Sequence, residues 1–333
     1  MELPLLLEVI DTVRQLGWTG ALQLFVNGVT LGSLYALIAL GYSMVYGILK
    51  LLNFAHGDVY MIGAFIGYGV LTALGGPLSP DLALTPLILL MFLAAMLGSG
   101  ALGVVIERFA YRPLRDAPRI APLITALGVS FFLQNSVLLL FGAQFRTYNN
   151  FLLGSDNPEL FEPGPLIQPA FTVSGVNVQT GQILVVSTTV ALMAVLTLLV
   201  ARTRIGKAMR ATSFDREAAA MMGIDVDRVI ASTFFAGSVL AGAAGVMFGL
   251  LYGQVFHFMG FLAGLKGFTA AVVGGIGSIP GAMVGGLLVG LTEAYASGYL
   301  GGQWSDLTVF GILIFVLLVR PSGLLGTRAI QKV

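Results

Sequence analysis

The chain has no cysteine in 333 residues, two histidines, two tryptophans and only 10% charged residues. Without cysteine there is neither a disulfide framework nor thiol chemistry. A soluble domain carries about 25% charge; this low share, with 57% hydrophobic residues and a mean hydropathy of +0.92, excludes a soluble globule. The net charge of +1 gives no ground for nucleic-acid binding. Also missing are the G-x-x-x-x-G-K-[ST] loop, the G-x-S-x-G elbow and H-E-x-x-H, so no catalytic residue is expected. His56 and Asp58, two residues apart, are too few for a metal site, which takes three or four ligands. Residues 1–20 hold Glu2, Glu8, Asp11 and Arg14, with no basic leader and no small-residue cleavage pattern. They do not read as a signal peptide, and an extracytoplasmic or interfacial segment is expected.

What is present is apolar sequence in long continuous runs and 44 glycines. Outward faces of a membrane β-barrel alternate with polar lumen positions, so continuous runs exclude that architecture. The expected fold is all-α, a polytopic membrane helix bundle of about 8 to 10 spans forming a single domain over residues 21–333. Clear spans are residues 22–48, 54–74, 84–106, 120–141, 183–201, 229–251, 279–299 and 307–319. Glycines four apart, as at Gly28/Gly32, Gly63/Gly67, Gly245/Gly249, Gly281/Gly285 and Gly286/Gly290, suit close helix packing in general.

Arginine and lysine favour cytoplasmic loops. Arg108, Arg112, Arg115 and Arg119 follow the third span, a second cluster runs through residues 202–228, and Arg320, Arg328 and Lys332 close the chain. With all three clusters inside, the chain must cross an even number of times between Arg228 and Arg320, yet only three obvious spans lie there. A short, glycine-interrupted crossing is therefore predicted at residues 261–276, shielded in the bundle interior. The amino terminus then lies outside and the carboxyl terminus in the cytoplasm. Residues 142–182 fall outside, with Asp156, Glu159, Glu162 and prolines at 158, 163, 165 and 169 among the aromatic anchors Phe145, Tyr148, Phe151, Phe161 and Phe171. That loop is either a docking surface or a structural cap.

The one polar interior stretch, residues 202–228, contains a short helix with its own start and stop signals, Asp215 capping the first turn and Gly223 taking the left-handed stop position. Ala218, Ala219, Met221 and Met222 suit a knob that seats in another protein's groove, while an amphipathic connector lying on the membrane surface fits the local pattern as well. Few polar groups enter the spans, and each is costly there. Lys266 and Glu293 form an ion pair if their helices are antiparallel neighbours; Lys266 otherwise snorkels to an interface. Asn53, His56 and Asp58 join the first two spans, as helix caps, as a polar break facing a translocation path, or as both.

Several blocks together resemble the LivH-type permease of branched-chain amino acid ABC importers. They are N-G-V-T-L-G-S-L-Y-A-L-I-A-L-G-Y-S-M-V-Y-G from Asn27, N-F-A-H-G-D-V-Y-M-I-G-A from Asn53, I-E-R-F-A-Y-R-P-L-R from Ile106, D-R-E-A-A-A-M-M-G-I from Asp215, G-L-K-G-F-T-A-A-V-V-G-G-I-G-S-I-P-G-A from Gly264 and V-R-P-S-G-L-L-G from Val319. The resemblance implies the ABC importer permease fold in a bacterial inner membrane, among lipid. It implies pairing with a LivM-type permease, two cytoplasmic ATPase subunits that hold the ATP and Mg, and a periplasmic amino acid binding protein; this chain would bind no cofactor. Glu217, Ala218, Ala219 and Gly223 match the family's E-A-A…G coupling motif, so Asp215, Arg216, Met222 and their neighbours would form the ATPase-coupling helix. The long outer loop becomes a contact for the binding protein. The substrate path is not marked by the motif, and Asn53, His56, Asp58, Lys266 and Glu293 stand as path candidates on their polarity alone. The implied activity is transport of leucine, isoleucine and valine. Relatives built the same way carry urea or short-chain amides, and an ion-coupled carrier or a passive amide channel would also use broken helices. The coupling motif and the scarcity of carboxylates in the spans weigh against the last two.

Overall fold

The computed structural model describes residues 3–74, 80–115, 117–118, 120–148 and 166–326, with side chains at residues 17–74 and from residue 85 onward within those ranges. Asp156, Glu159, Glu162, Phe151, Phe161, prolines 158, 163 and 165, Arg119, Arg328 and Lys332 lie outside the described residues.

The elements in chain order are α1 (Leu3–Leu49), α2 (His56–Leu74), α3 (Pro80–Ile106), α4 (Ile120–Phe141), β1 (Arg146–Thr147), β2 (Pro169–Val173), β3 (Val176–Gln179), α5 (Thr180–Arg202), α6 (Arg204–Phe214), α7 (Arg216–Met221), α8 (Val226–Tyr252), β4 (Gln254–Val255), α9 (Met259–Gly274), α10 (Ile279–Tyr299) and α11 (Ser305–Val319). Eight helical segments in the described residues are long and apolar enough to cross a membrane. The protein is an all-α, multi-pass membrane bundle. α8 and the main part of α1 form its centre, with 72% and 67% of their most apolar windows buried, while α5 and α11, at 17% and 11%, face outward.

Gly17 bends α1 with φ +56°, and α1 is a membrane span only from that residue to Leu49. α3 ends in one π-helical turn, Glu107–Tyr111, followed by a 3-10 turn at Arg112–Leu114. That turn directs Glu107 and Tyr111 into the protein.

Small residues hold the centre together. Gly32 lies against the backbone of Leu287, Gly286 against Ala36 and Gly290 against Gly32, so α1 and α10 nearly touch backbone to backbone. Gly63 meets Gly242 in the α2–α8 seam, and Gly67 and Gly249 close on the ring of Tyr148. The four-residue spacings thus serve seams within one chain.

Two ends can be distinguished. One, the basic end, gathers the end of α1, the α3–α4 turn with Arg112 and Arg115, helices α6 and α7, and residues 320–326. The other gathers the β2–β3 hairpin, closed by Ser174 (φ +52°) and Gly175 (φ +84°) in the two-residue turn that such strands favour. It is held to α1 by Gln23, which both donates to the Asn177 carbonyl (3.1 Å) and accepts its N–H (2.9 Å). Here β1 also pairs with β4, and Tyr148 donates its N–H to Gly253 O (2.9 Å) and its hydroxyl to Ala64 O (2.7 Å).

α9 runs between these ends: it follows β4, and at its far terminus the carbonyls of Val273 and Gly274 accept N–H bonds from Leu324 and Leu325 (2.9 and 2.8 Å). It lies where the short crossing is expected, as a shorter apolar helix beside the eight longer ones. The helix continues through Gly260, Gly264 and Gly267, however, and breaks only at Gly275 and Gly277, both at positive φ. The internal glycines instead let it approach other backbone: Gly260 and Gly264 abut Gly57.

Candidate functional site

At the basic end, residues 202–228 form two helices where the sequence marks one. Thr203 caps α6, accepting from Gly206 N at 3.0 Å. Asp215 ends α6 and starts α7, its carboxylate accepting the N–H groups of Glu217 and Ala218 at 3.0 Å each. Gly223 follows at φ +81°, where a side chain would be strained. Met221 and Met222 are 81% and 83% exposed, and Glu217 and Ala218 also face out. Ala219 differs from the expected knob: it is turned inward and buried.

Arg216 is the internal tether. Its Nε and Nη2 both donate to the Ile48 carbonyl, at 3.1 and 2.6 Å, joining α7 to the last turn of α1. Burial, and then the nearby Arg115 charge, lower this guanidinium from its ordinary range. Next to it, Arg115 bonds Glu107 and Asp227, and Arg112 also bonds Asp227, tying the α3–α4 turn to the start of α8. Two cavities flank this elbow. One, about 370 Å³, is lined by Ile48, Lys50, Arg115 and Arg216; the other, about 490 Å³, by Ser43, Lys50, Arg210 and Thr233. α7 is thus joined to α1 by a charged hydrogen bond.

Inside the bundle, Asn53, His56 and Asp58 are all buried. Asn53 Oδ1 takes the Tyr111 hydroxyl (3.1 Å) and Asp58 Oδ1 the Gln134 amide (3.0 Å), whereas His56 Nε2 and Asp58 Oδ2 are buried without a hydrogen-bond partner among the described residues. The first turn of α2 is closed by backbone bonds from His56 N to Asn53 O and from Val59 N to Ala55 O. The His56 ring lies against Gly41, where a Cβ would come within 2.0 Å of Nε2. α2 thus begins beside Gly41, about two turns before the end of α1 at Leu49, so residues 50–55 double back into the protein. Backbone off the helical path is tolerated at such depth only when other protein shields it.

Lys266 Nζ lies 2.7 Å from Glu293 Oε1 and 2.7 Å from Asp306 Oδ1. Glu293 Oε2 accepts the Tyr35 hydroxyl at 2.9 Å. Lys266 and Glu293 thus form one cluster, well separated along the chain from the group at Asn53, His56 and Asp58. Tyr35, Gln134, Asp306 and Tyr111 carry no local mark in the sequence; only their helix neighbours identify them. No group of three or more metal-ligating side chains occurs among the described residues.

The family described as "Branched-chain amino acid transport system / permease component" matches residues 24–318. The high-affinity branched-chain amino acid transport system permease protein BraD of Pseudomonas aeruginosa is 45% identical over 313 residues, covering 94% of this chain and 98% of that protein. LivH of Escherichia coli K12, which bears the same description, is 44% identical over 312 residues, covering 94% and 97%. A probable LivH permease of Methanocaldococcus jannaschii is 28% identical over 318 residues, covering 92% and 93%. No solved structure matches significantly. With the match spanning the bundle from α1 to α11, the chain belongs to the branched-chain amino acid transport permease family.

Proposed function

We propose that this chain is one permease subunit of an ATP-driven importer for leucine, isoleucine and valine in a bacterial inner membrane, with its basic end cytoplasmic and its amino terminus outside. A LivM-type permease completes the translocation path. Two ATPase subunits bind ATP and Mg and dock on α7, and a periplasmic binding protein delivers the amino acid to the end bearing the hairpin. Residues 142–182 would contribute to that contact. The observation that supports this reading best is the α7 elbow: it is capped at both ends, its methionines point away from its own bundle, and Arg216 fixes it to α1. Closure of the ATPase pair would push α7, pull on Ile48, and bias α1 and the helices packed on it between outward-open and inward-open states.

The test is radiolabelled leucine uptake by cells lacking the chain, with valine, polar amino acids and urea as competitors. Wild-type chain restores uptake and Glu217→Lys, present at the same level in the membrane, does not. Equal restoration by Glu217→Lys refutes the coupling role. Loss of urea uptake with leucine uptake intact, in cells without a redundant leucine importer, moves the substrate to the amides.

A further inference from the structure

Leu34 and Ile38 of α1, Tyr60 of α2, Phe248 of α8 and Leu262 of α9 wall a cavity of about 250 Å³. It is smaller than the ~300–1,000 Å³ of drug-sized sites, and its walls are aliphatic and aromatic. Its polar side is formed by Tyr35, Lys266 and Glu293. No feature of the coupling mechanism uses this space.

The charge cluster beside it is unbalanced. One ammonium, on Lys266, faces two carboxylates, on Glu293 and Asp306. Asp306 is about half exposed (53%), whereas Lys266 and Glu293 are largely shielded (11% and 14%), so Glu293 is the carboxylate whose charge a second cation would relieve at depth. The hydrogen-bonding capacity points the same way. An ammonium has three donors, and two of those on Lys266 go to Glu293 and Asp306. Each Glu293 oxygen receives one donor, from Lys266 and from Tyr35, although a carboxylate offers about four acceptor positions. The cluster can therefore give one N–H and accept one or two more without breaking a bond it already makes.

We propose that this cavity is a substrate subsite within the subunit for a zwitterion with a short branched aliphatic side chain. The side chain lies among Leu34, Ile38, Tyr60, Phe248 and Leu262, the α-ammonium on Glu293, and the α-carboxylate on the third N–H of Lys266. Asp306 keeps Lys266 partly engaged from α11, so that Glu293 is free to take a second cation. The assignment rests on the reading of the chain as an amino acid permease and adds the position and the selecting groups. It requires that an anion lacking the amine, or an uncharged amide, be rejected here: the first is repelled by the excess charge, and neither brings a cation to Glu293.

Because the chain has no cysteine, one introduced thiol reports on the cavity without background. Ala263 lines it. The assembled importer carrying Ala263→Cys, with cysteine-free partner subunits and binding protein, is treated with N-ethylmaleimide during ATP turnover, and modification of this chain is followed by mass. Leucine slows labelling at least about tenfold, whereas urea and 4-methylpentanoate do not. Adding Glu293→Gln raises the half-protecting leucine concentration about tenfold or more, the expected consequence of losing a charged hydrogen bond. Adding Asp306→Asn raises it too, because Lys266 then commits to Glu293. Absence of labelling overturns the proposal, since a site that leucine reaches is open to a small maleimide. Labelling that leucine leaves unchanged, in an importer that still takes up leucine, overturns the subsite and leaves the transport function standing. An importer that takes up no leucine refutes the underlying function first.

Discussion

Replacing Gly290 with alanine tests whether direct backbone contact between α1 and α10 holds the bundle. A Cβ at that position comes within 2.1 Å of Gly32 N, 2.2 Å of Gly32 Cα and 2.8 Å of Gly28 O. Non-bonded carbons rest at about 3.5–4.0 Å, so the two helices must part by roughly 1.3 Å or more along that contact. All three obstructing atoms are backbone, so no rotamer change relieves the clash. The seam continues through Gly286 against Ala36 and Gly28 against Leu291, and a gap of even 0.5–1 Å forfeits about a quarter to a half of each dispersion contact along it. Overpacking costs about 1–3 kcal/mol, and a rigid backbone obstacle puts this case near ~2–3 kcal/mol. Gly128→Ala is the control: it lies in α4 with nothing within 4 Å of the added methyl, and alanine there is expected to stabilise by ~0.4–1 kcal/mol. Denaturant unfolding of both purified variants in one detergent measures the two changes. If Gly290→Ala unfolds at the wild-type midpoint, the helices are not held by this approach and the argument from glycine contacts fails.

Arg216→Met keeps side-chain length but removes both bonds to Ile48 O, a loss of about 1.5–3 kcal/mol for a charged donor. In reconstituted importer, ATP hydrolysis is expected to persist while leucine moved per ATP falls about tenfold; an unchanged ratio rules out this tether as the transmission. Lys266→Met leaves Glu293 and Asp306 without their cation and should destabilise by ~3–5 kcal/mol, whereas adding Glu293→Gln and Asp306→Asn recovers much of that loss; unfolding of the single and triple variants decides, and equal stability dismisses the ion cluster as a structural unit. Tyr148→Phe removes one hydroxyl bond, worth about 1 kcal/mol, and should speed proteolysis in residues 142–182 without lowering the yield of folded bundle; unaltered cleavage would mean that the phenol does not anchor that segment. Asp215→Ala deletes the α7 cap at a cost of ~1 kcal/mol, and amide exchange in residues 216–222 should accelerate relative to α8.

The spans were legible because apolar runs report lipid burial directly, and the short helix α9 because the basic clusters leave an odd count of long runs between Arg228 and Arg320. The caps of α7 were legible because Asp215 and Gly223 act within a few residues of themselves. What remained hidden depends on distant partners. Nothing local marks Arg216 as the donor to Ile48, 168 residues away, or Gln134 as the partner of Asp58. α6 carries no clear sequence signal because its basic residues mask a short buried face of Gly206, Met209 and Thr212. Residues 53–58 read as a helix start by local rules, but the structure assigns their side chains to Tyr111, Gln134 and the surface of Gly41.

The closure of α9 by Leu324 and Leu325 sets an order on biosynthesis. With 16 residues at 1.5 Å each, this helix is shorter than the hydrocarbon layer, and its last carbonyls find their partners only in a segment made some fifty residues later. During translation the eight longer helices can be released into lipid one at a time. α9 cannot be completed until α10, α11 and the tail behind them have left the ribosome. This short helix is thus the last to be locked, and a chain that stops before residue 324 would present an unfinished helix terminus to the quality-control proteases of the membrane.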